Sequence, residues 1–318
     1  MIPMKTFLLF LVALTFCLLF SCSDDTRQPI KIGILHSLTG TMAFSEKDLV
    51  DALTLALEEI NRAGGVLGRP LQAVIADGAS NWDEFAIKAE QLIVRDRVPV
   101  IFGCWTSASR KAVKPVVEKY DHLLFYPVQY EGLEQSANII YTGAAPNQQI
   151  IPSIHWALEN LGQRVYLLGS DYIFPRAANM IIKDLLKKQD ITPLAEVYLP
   201  LGSNDVSSVI TDIRTLKPDL IFNTINGDSN VAFFTALNNL ISSDKGRSGE
   251  IAGPTVVSFS LGEPEVKNIG SKLLAGHYAA WNYFQSINSQ ENLDFVHAFK
   301  TRFGQHRVVN DPMEADYI

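Results

Sequence analysis

The turn that follows residue 103 carries side chains suited to binding a small polar molecule. Trp105, Thr106 and Ser107 stand there at a predicted helix start, which offers hydroxyl groups and free backbone N–H donors beside an aromatic face. The alternative is structural, with Ser107 capping its own helix and Trp105 in the core. Because a helix cap can also contact a ligand, we expect this turn to bind.

Further candidates stand at the ends of other predicted strands. They are Tyr126, Gln129, Tyr172, Phe174, Asn226 and Asp228. Asp228 either caps the helix that it opens or accepts hydrogen bonds from a ligand. For Tyr126 the alternative to ligand binding is simple packing at the rim of the cleft. Ligands of doubly wound sheets bind beyond the carboxyl ends of the strands, so these residues are expected to share one cleft.

Common catalytic and metal-binding motifs are missing from the sequence. It has no Gly-x-Ser-x-Gly elbow, no phosphate-binding Gly-x-x-x-x-Gly-Lys loop and no Gly-x-Gly-x-x-Gly after the first strand. The 6 histidines lack the spacing of metal ligands, and no cysteine pair lies near them. We therefore expect no metal, no cofactor and no enzymatic activity, with a catalytic triad assembled in space as the remote alternative.

The elements that would position these residues alternate between strands and helices. Apolar runs such as 30–36, 98–103 and 165–169 predict buried strands, and amphipathic stretches such as 45–63 predict the helices between them. This rhythm predicts an α/β fold with parallel sheets and helices on both faces. A length of 318 residues favours two such lobes.

Charge and composition narrow the functional class. The formal net charge is -7 and the pI is about 5.4, so the chain has no basic surface for nucleic acid. Hydrophobic residues make up 47% of the sequence, as in a globular protein. No nucleic-acid partner is expected.

The N-terminus predicts export and lipid anchoring. A nearly uninterrupted apolar run over 7–20 follows Lys5 and ends at Ser21-Cys22, which resembles a bacterial lipobox. We expect residues 1–21 to be a lipoprotein signal peptide, Cys22 to carry the lipid, and residues 22–29 to be a tether. The alternative is an ordinary signal peptide with an incidental cysteine. The protein would then act in the periplasm or on the outer face of the membrane.

Several long motifs resemble a known family. Residues 32–40 read Ile-Gly-Ile-Leu-His-Ser-Leu-Thr-Gly, and residues 58–68 read Glu-Glu-Ile-Asn-Arg-Ala-Gly-Gly-Val-Leu-Gly. These are similar to type I periplasmic solute-binding proteins of the branched-chain amino acid class. The stretches 102–107, 124–132, 141–149, 169–176 and 222–234 more narrowly resemble the urea-binding proteins of urea ABC transporters.

The resemblance implies a fold and a division of the chain. Two Rossmann-like lobes would close over ligand at a hinged cleft, with residues 30–145 plus 285–318 forming the N-terminal lobe and 146–284 the C-terminal lobe. The family continues beyond the position where this sequence stops, so the C-terminal part of the family fold is expected to be missing.

The resemblance also implies a ligand and a role for each residue. Urea would present its carbonyl to Ser107 and the helix start, with Asp228 and Gln129 accepting its N–H groups. Tyr126 and Tyr172 would line the cleft, and Trp105, Phe174 and Trp281 would form its walls. The polar Gln129 favours urea over alkyl amides. The expected partners are urea or a short-chain amide and the permease subunits of an ABC transporter. An amide sensor and a secreted hydrolase are the alternatives.

Overall fold

The computed structural model describes residues 28–248 and 253–318. The predicted signal peptide, Cys22 and all but the last two tether positions lie outside the described residues. No helix within the described ranges is both long enough and apolar enough to cross a membrane.

The first sheet confirms the strand predictions in the N-terminal part of the chain. Its order is β2-β1-β3-β4-β5 and all of its pairings are parallel. Its strands are β1 (Ile30–His36), β2 (Leu71–Asp77), β3 (Val100–Gly103), β4 (Leu123–Tyr126) and β5 (Ile139–Tyr141). Buried parallel strands are apolar along their whole length, which is why these runs are visible in the sequence.

The second sheet repeats the design with the order β10-β9-β8-β6-β7, again entirely parallel. Its strands are β6 (Val165–Ser170), β7 (Ala195–Leu199), β8 (Leu220–Thr224), β9 (Thr255–Ser258) and β10 (Tyr278–Ala279). The prediction of an α/β fold with two parallel-sheet lobes is confirmed. The exact lobe boundaries stay a prediction.

The helices follow the strands in alternation. They are α1 (Ala43–Arg62), α2 (Trp82–Val94), α3 (Ser107–Lys119), α4 (Ile150–Asn160), α5 (Ile173–Lys187), α6 (Ser207–Leu216), α7 (Ser229–Ser248), α8 (Glu263–Ile269), α9 (Ser271–Leu274) and α10 (Gln290–Phe303), with a final 3-10 helix over Pro312–Tyr317. The short helices α8 and α9 were not predicted, since few residues in each carry a periodic signal.

The C-terminal residues pack against the first sheet and its helix α1. Phe299 and Val309 are fully buried beside Ala52 and Leu55 of α1, and the ring of Tyr317 lies 5.6 Å from that of Phe125. This packing supports the proposal that residues 285–318 belong to the N-terminal lobe.

Candidate functional site

The topology brings the predicted turns to the two points where the strand order reverses. In the first sheet β1 lies between β2 and β3, so the turns after His36 and Gly103 diverge there. In the second sheet β6 lies between β7 and β8, so the turns after Ser170 and Thr224 diverge. Such switch points are where open α/β sheets bind ligands.

The start of α3 corrects the expected helix cap. Thr106 is the cap, because its hydroxyl accepts the backbone N–H of Ser109 at 3.0 Å. Ser107 is the first helical residue, and its hydroxyl oxygen accepts a hydrogen bond from Nη1 of Arg110 at 3.1 Å. The alternative that Ser107 caps the helix is therefore wrong, since Thr106 occupies the cap position and α3 begins at Ser107.

Arg110 forms a buried charge cluster that sequence reasoning missed. It is fully buried and contacts Glu131 at 2.9 Å and Glu134 at 2.6 Å. Its guanidinium lies 4.7 Å from the centre of the Tyr126 ring. The hydroxyl of Tyr126 in turn donates to the Trp105 carbonyl at 2.7 Å. Because Glu131 and Glu134 already neutralise Arg110, we assign this cluster a structural role, which is to fix the position of Tyr126.

Gln129 joins the two lobes. Its Nε2 donates to the backbone carbonyl of Phe259 at 3.1 Å, and its Oε1 accepts a long bond of 3.4 Å from Asn282. Asn282 also accepts the backbone N–H of Ala144 at 3.2 Å, so the two crossing segments touch. A groove of about 420 Å³ lies along these segments and is lined in part by Gln149, Trp281 and Asn282.

Tyr172 and Asn226 meet at the switch point of the second sheet. Nδ2 of Asn226 donates to the Tyr172 hydroxyl at 2.7 Å, while its buried Oδ1 has no hydrogen-bond partner among the described residues. The ring of Trp82, at the start of α2 in the first lobe, lies 6.2 Å from that of Tyr172. Phe174 lies in the apolar core of the second lobe.

Asp228 is exposed, so its side chain lies outside the buried space between the lobes, and the geometry gives no support to the ligand contact predicted for it. Gly227 has φ 69, and a Cβ added there would lie 2.7 Å from the Thr41 hydroxyl of the other lobe. The next backbone N–H, that of Asp228, donates to the same hydroxyl at 3.2 Å. The backbone of this turn therefore faces the first lobe while the Asp228 side chain points to solvent. The helix itself begins at Ser229.

The two predicted tryptophan walls stack on each other. The rings of Trp105 and Trp281 are 5.7 Å apart with an interplanar angle of 24°. Nε1 of Trp281 donates to Oδ1 of Asn310 at 2.9 Å, whereas Nε1 of Trp105 is buried with no partner within the described ranges.

Asp311 lies next to these indoles and was missed by the sequence analysis. It is fully buried, and neither carboxylate oxygen has a hydrogen-bond partner in the part of the chain that the structure describes. Burial, and secondarily Glu265, raise the pKa of the Asp311 carboxyl well above its usual range. An Asp before Pro312 suggests only a helix cap, although its side chain makes no capping bond. We call Trp105, Trp281, Asn282 and Asp311 the indole cluster.

The buried imidazole of His36, at the same edge, has a carboxylate partner at each ring nitrogen. Nδ1 of His36 contacts Glu46 at 3.2 Å, and its Nε2 contacts Glu314 at 2.7 Å. Burial alone would lower the pKa of His36, but Glu314 and Glu46 outweigh burial and raise it to about 10. His36 is therefore an imidazolium at neutral pH. We call His36, Glu46 and Glu314 the ion triad.

Direct contacts hold the two lobes together over the switch points. Oγ of Ser45 in α1 donates to Oε1 of Glu265 in α8 at 2.6 Å. The Thr41 contacts with the turn at Gly227 and the Gln129 bond to Phe259 complete this closed arrangement. Polar groups inside such a cleft are shielded from water, so any unpaired one carries a free-energy cost of about 1–3 kcal/mol.

Several buried polar atoms between the lobes have no described partner. They include Nε1 of Trp105, Oδ1 of Asn226, Oγ of Ser229, Oγ of Ser260, Nδ2 of Asn310 and both oxygens of Asp311, together with one oxygen each of Glu131 and Glu314. This set contains donors as well as acceptors, beside flat aromatic faces. It suits a small ligand that carries both a carbonyl group and N–H groups.

Comparison with known sequences identifies relatives for most of the chain. The periplasmic binding protein domain matches residues 30–318. The Leu/Ile/Val-binding protein BraC3 of Rhizobium johnstonii is 24% identical over 200 residues, which are 61% of this chain and 53% of that protein. The Leu/Ile/Val-binding protein homolog 8 of Brucella abortus is 22% identical over 298 residues, covering 86% of this chain and 70% of the relative. The chain thus spans little more than half of the first relative's length.

Solved structures show the same fold. An amino acid ABC transporter substrate-binding protein from Pseudomonas fluorescens Pf-5 superposes with a TM-score of 0.74 at 22% identity, covering 92% of this chain and 76% of that one. A solute-binding protein from R. palustris, in complex with 4-hydroxybenzoate, gives a TM-score of 0.77 at 21% identity, covering 91% and 78%.

Proposed function

Because the chain belongs to the periplasmic binding protein family, we propose that it is an extracytoplasmic solute-binding protein that captures urea between its lobes. It would deliver urea to the membrane permease subunits of an ABC transporter. The observation that carries this proposal is the set of unpaired buried donors and acceptors at the interlobe switch points.

The chemistry of urea matches this set. Urea is small, planar and neutral, with one carbonyl acceptor and four N–H donors. Oδ1 of Asn226 and the carboxyl group of Asp311 can accept its N–H groups, while the Trp105 indole N–H can donate to its carbonyl. The stacked rings of Trp105 and Trp281 supply a flat wall.

Charge argues against an acidic ligand such as the 4-hydroxybenzoate bound by one structural relative. Among the described residues, the buried cations near the cleft are already neutralised: His36 contacts two carboxylates and so does Arg110. The buried carboxyl groups of Glu265 and Asp311 contact no cation within the described ranges. A carboxylate ligand would therefore bring a negative charge into the cleft, and no buried cation there is free to neutralise it. This is unfavourable in a cleft that excludes water.

Two other functions remain as alternatives. A short-chain aliphatic amide has fewer N–H donors than urea and would leave one of the acceptors unpaired. A hydrolase would need an activated nucleophile, yet burial raises the pKa of the Cys104 thiol. No hydrogen bond between described residues joins a serine hydroxyl to a histidine ring.

Lipid anchoring at Cys22 is part of the proposal. Replacing Cys22 with Ser should abolish acylation and leave a soluble or unprocessed precursor. Metabolic labelling with a fatty acid tests this directly. Label retained on the Cys22→Ser protein would contradict anchoring and leave the ligand proposal untouched.

Calorimetric titration with urea, acetamide, formamide, leucine and 4-hydroxybenzoate tests the ligand. We expect urea to bind most tightly, acetamide about tenfold or more weakly, and the two acids not measurably. Small-angle scattering should show compaction with urea, because closure of hinged lobes accompanies binding. Tight binding of leucine or 4-hydroxybenzoate without binding of urea would contradict the proposal.

A further inference from the structure

Asp311 is a buried acidic residue whose carboxyl group has no partner among the described residues. Its φ is 44, in the left-handed region that aspartate and asparagine enter more readily than most other residues. It occupies the cap position of the last 3-10 helix without capping it. Its carboxyl group is fully buried, with neither oxygen hydrogen-bonded by any residue that the structure describes.

The groups around Asp311 are hydrogen-bond donors of the ligand cleft. The indole N–H groups of Trp105 and Trp281 and the Asn282 side chain lie near enough to oppose the rise in the pKa of its carboxyl. None of them has the geometry of a hydrogen bond to the carboxyl group, and Trp281 donates to Asn310 instead. The carboxyl group and the Trp105 indole N–H are therefore neighbouring buried polar groups that share no hydrogen bond.

Burial and the charges near Asp311 favour the neutral form of its carboxyl group. The nearest acidic neighbour on another element is Glu265 of α8, which accepts bonds from Ser45 and from the backbone of Gly262. On its own segment Glu314 is paired with His36. A buried carboxyl group with acidic neighbours and no cation favours its protonated form.

We propose that Asp311 is a ligand-binding residue that acts as a neutral carboxylic acid. Its O–H donates to the carbonyl oxygen of urea, and its own carbonyl oxygen accepts one urea N–H. This two-point pairing selects neutral ligands that carry a carbonyl and an N–H on the same carbon, which are urea and primary amides. The inference rests on the proposed function and identifies the residue that recognises the ligand.

Two substitutions separate the protonated acid from an ionised carboxylate. Asp311→Asn keeps one donor and one acceptor in the same shape, and asparagine tolerates positive φ. Asp311→Gly removes both groups without adding backbone strain. Asp228→Asn is the matched control, since Asp228 is exposed.

Urea titrations of these proteins by calorimetry, from about pH 6 to about pH 9, give the test. This range stays below the titration of His36, whose pKa is raised to about 10. We expect Asp311→Asn and Asp228→Asn to bind within about threefold of the wild type, and Asp311→Gly to bind about tenfold or more weakly. Wild-type affinity should stay constant or fall as the pH rises, because only the protonated acid donates.

Each contrary result has its own meaning. Absence of urea binding by the wild-type protein would overturn the proposed function and this inference together. Wild-type urea binding with an unchanged Asp311→Gly affinity would overturn the inference alone. A weak Asp311→Asn protein, or affinity that rises with pH, would show that an ionised carboxylate binds and would also overturn it. Melting temperatures establish folding, and if the glycine variant does not fold, the asparagine variant and the pH series decide.

Discussion

Two buried acidic groups on the same C-terminal segment have opposite surroundings. Glu314 in the ion triad lies 2.7 Å from the imidazolium of His36, which also contacts Glu46. Asp311 in the indole cluster contacts no cation among the described residues and has no hydrogen-bond partner there. Both carboxyl groups are excluded from water.

This difference distinguishes a buried acidic group that stabilises the fold from one that we propose binds a ligand. A paired buried charge holds elements together, and its removal costs stability. An unpaired buried polar group lowers stability and persists where something else offsets its cost, such as a ligand. The ion triad is therefore expected to determine stability, and the indole cluster is expected to determine affinity.

The largest expected effect is on the ion triad. His36→Gln removes the cation between Glu46 and Glu314 and should lower the free energy of unfolding by about 3–5 kcal/mol, since two buried carboxylates lose their partner. Chemical denaturation measures this, with the exposed His155→Gln as control. A loss below about 1 kcal/mol would mean that the triad is not a stabilising charge cluster.

The pH dependence of stability sharpens the same contrast. The pKa of His36 rises from 6.5 in the unfolded chain to about 10 in the folded protein, so the folded state binds the additional proton between these values. The stabilisation is complete below the lower value and is lost as the pH rises through the upper one. The stability advantage over His36→Gln should therefore shrink by about 1.4 kcal/mol per pH unit in this window. If the free energies of unfolding of the wild type and of His36→Gln change with pH in parallel, His36 is not an imidazolium.

A pair of asparagines tests the contrast within the second lobe. Asn226 has an unpaired Oδ1, whereas Asn223 bonds Asn230, Ser258 and the backbone of Ile225. Asn226→Ala should weaken urea binding about tenfold, equivalent to about 1.4 kcal/mol. Asn223→Ala should instead lower the melting temperature and leave the affinity of the folded protein nearly unchanged. Calorimetry and thermal melting on both proteins measure these effects. A loss of affinity in Asn223→Ala with unchanged affinity in Asn226→Ala would contradict the prediction.

The smallest effect is expected at Asp228. Because its side chain is exposed, Asp228→Ala should change urea affinity by less than about twofold and stability by no more than about 0.5 kcal/mol. Titration and melting on one protein sample check both values. A tenfold loss of affinity would return Asp228 to the site and weaken the role given to Asp311.

The elements that were predictable from the sequence have local signals. Strands such as β4 and β6 are short apolar runs beside turns, and α1 has an apolar stripe ended by Gly64. The two parallel sheets follow from the alternation of strands and helices, whereas the strand order within each sheet was not predicted. Trp105, Tyr172 and Asn226 could be proposed as site residues because they follow strand ends, and their ligand contacts stay predictions.

The remainder depends on contacts that no local pattern encodes. Asp311 meets Trp105 only because the chain returns to the first lobe near its end. The orientation of Asp228 depends on the approach of Thr41 to Gly227, a contact between lobes. Thr106 caps α3 instead of Ser107, although serine is the slightly better cap in general, because the path of the backbone decides which of two adjacent hydroxyl residues reaches the cap position.

The contact between His36 and Glu314 joins positions 278 residues apart, which has a consequence for the order of folding. The strands of the second sheet are contiguous in the chain, but the first lobe needs the last residues to be synthesised before its buried imidazolium finds both partners. Long-range contacts of this kind slow folding. Pulse-labelled amide exchange during refolding should accordingly protect β6 and β8 before β1, and simultaneous protection would contradict this order.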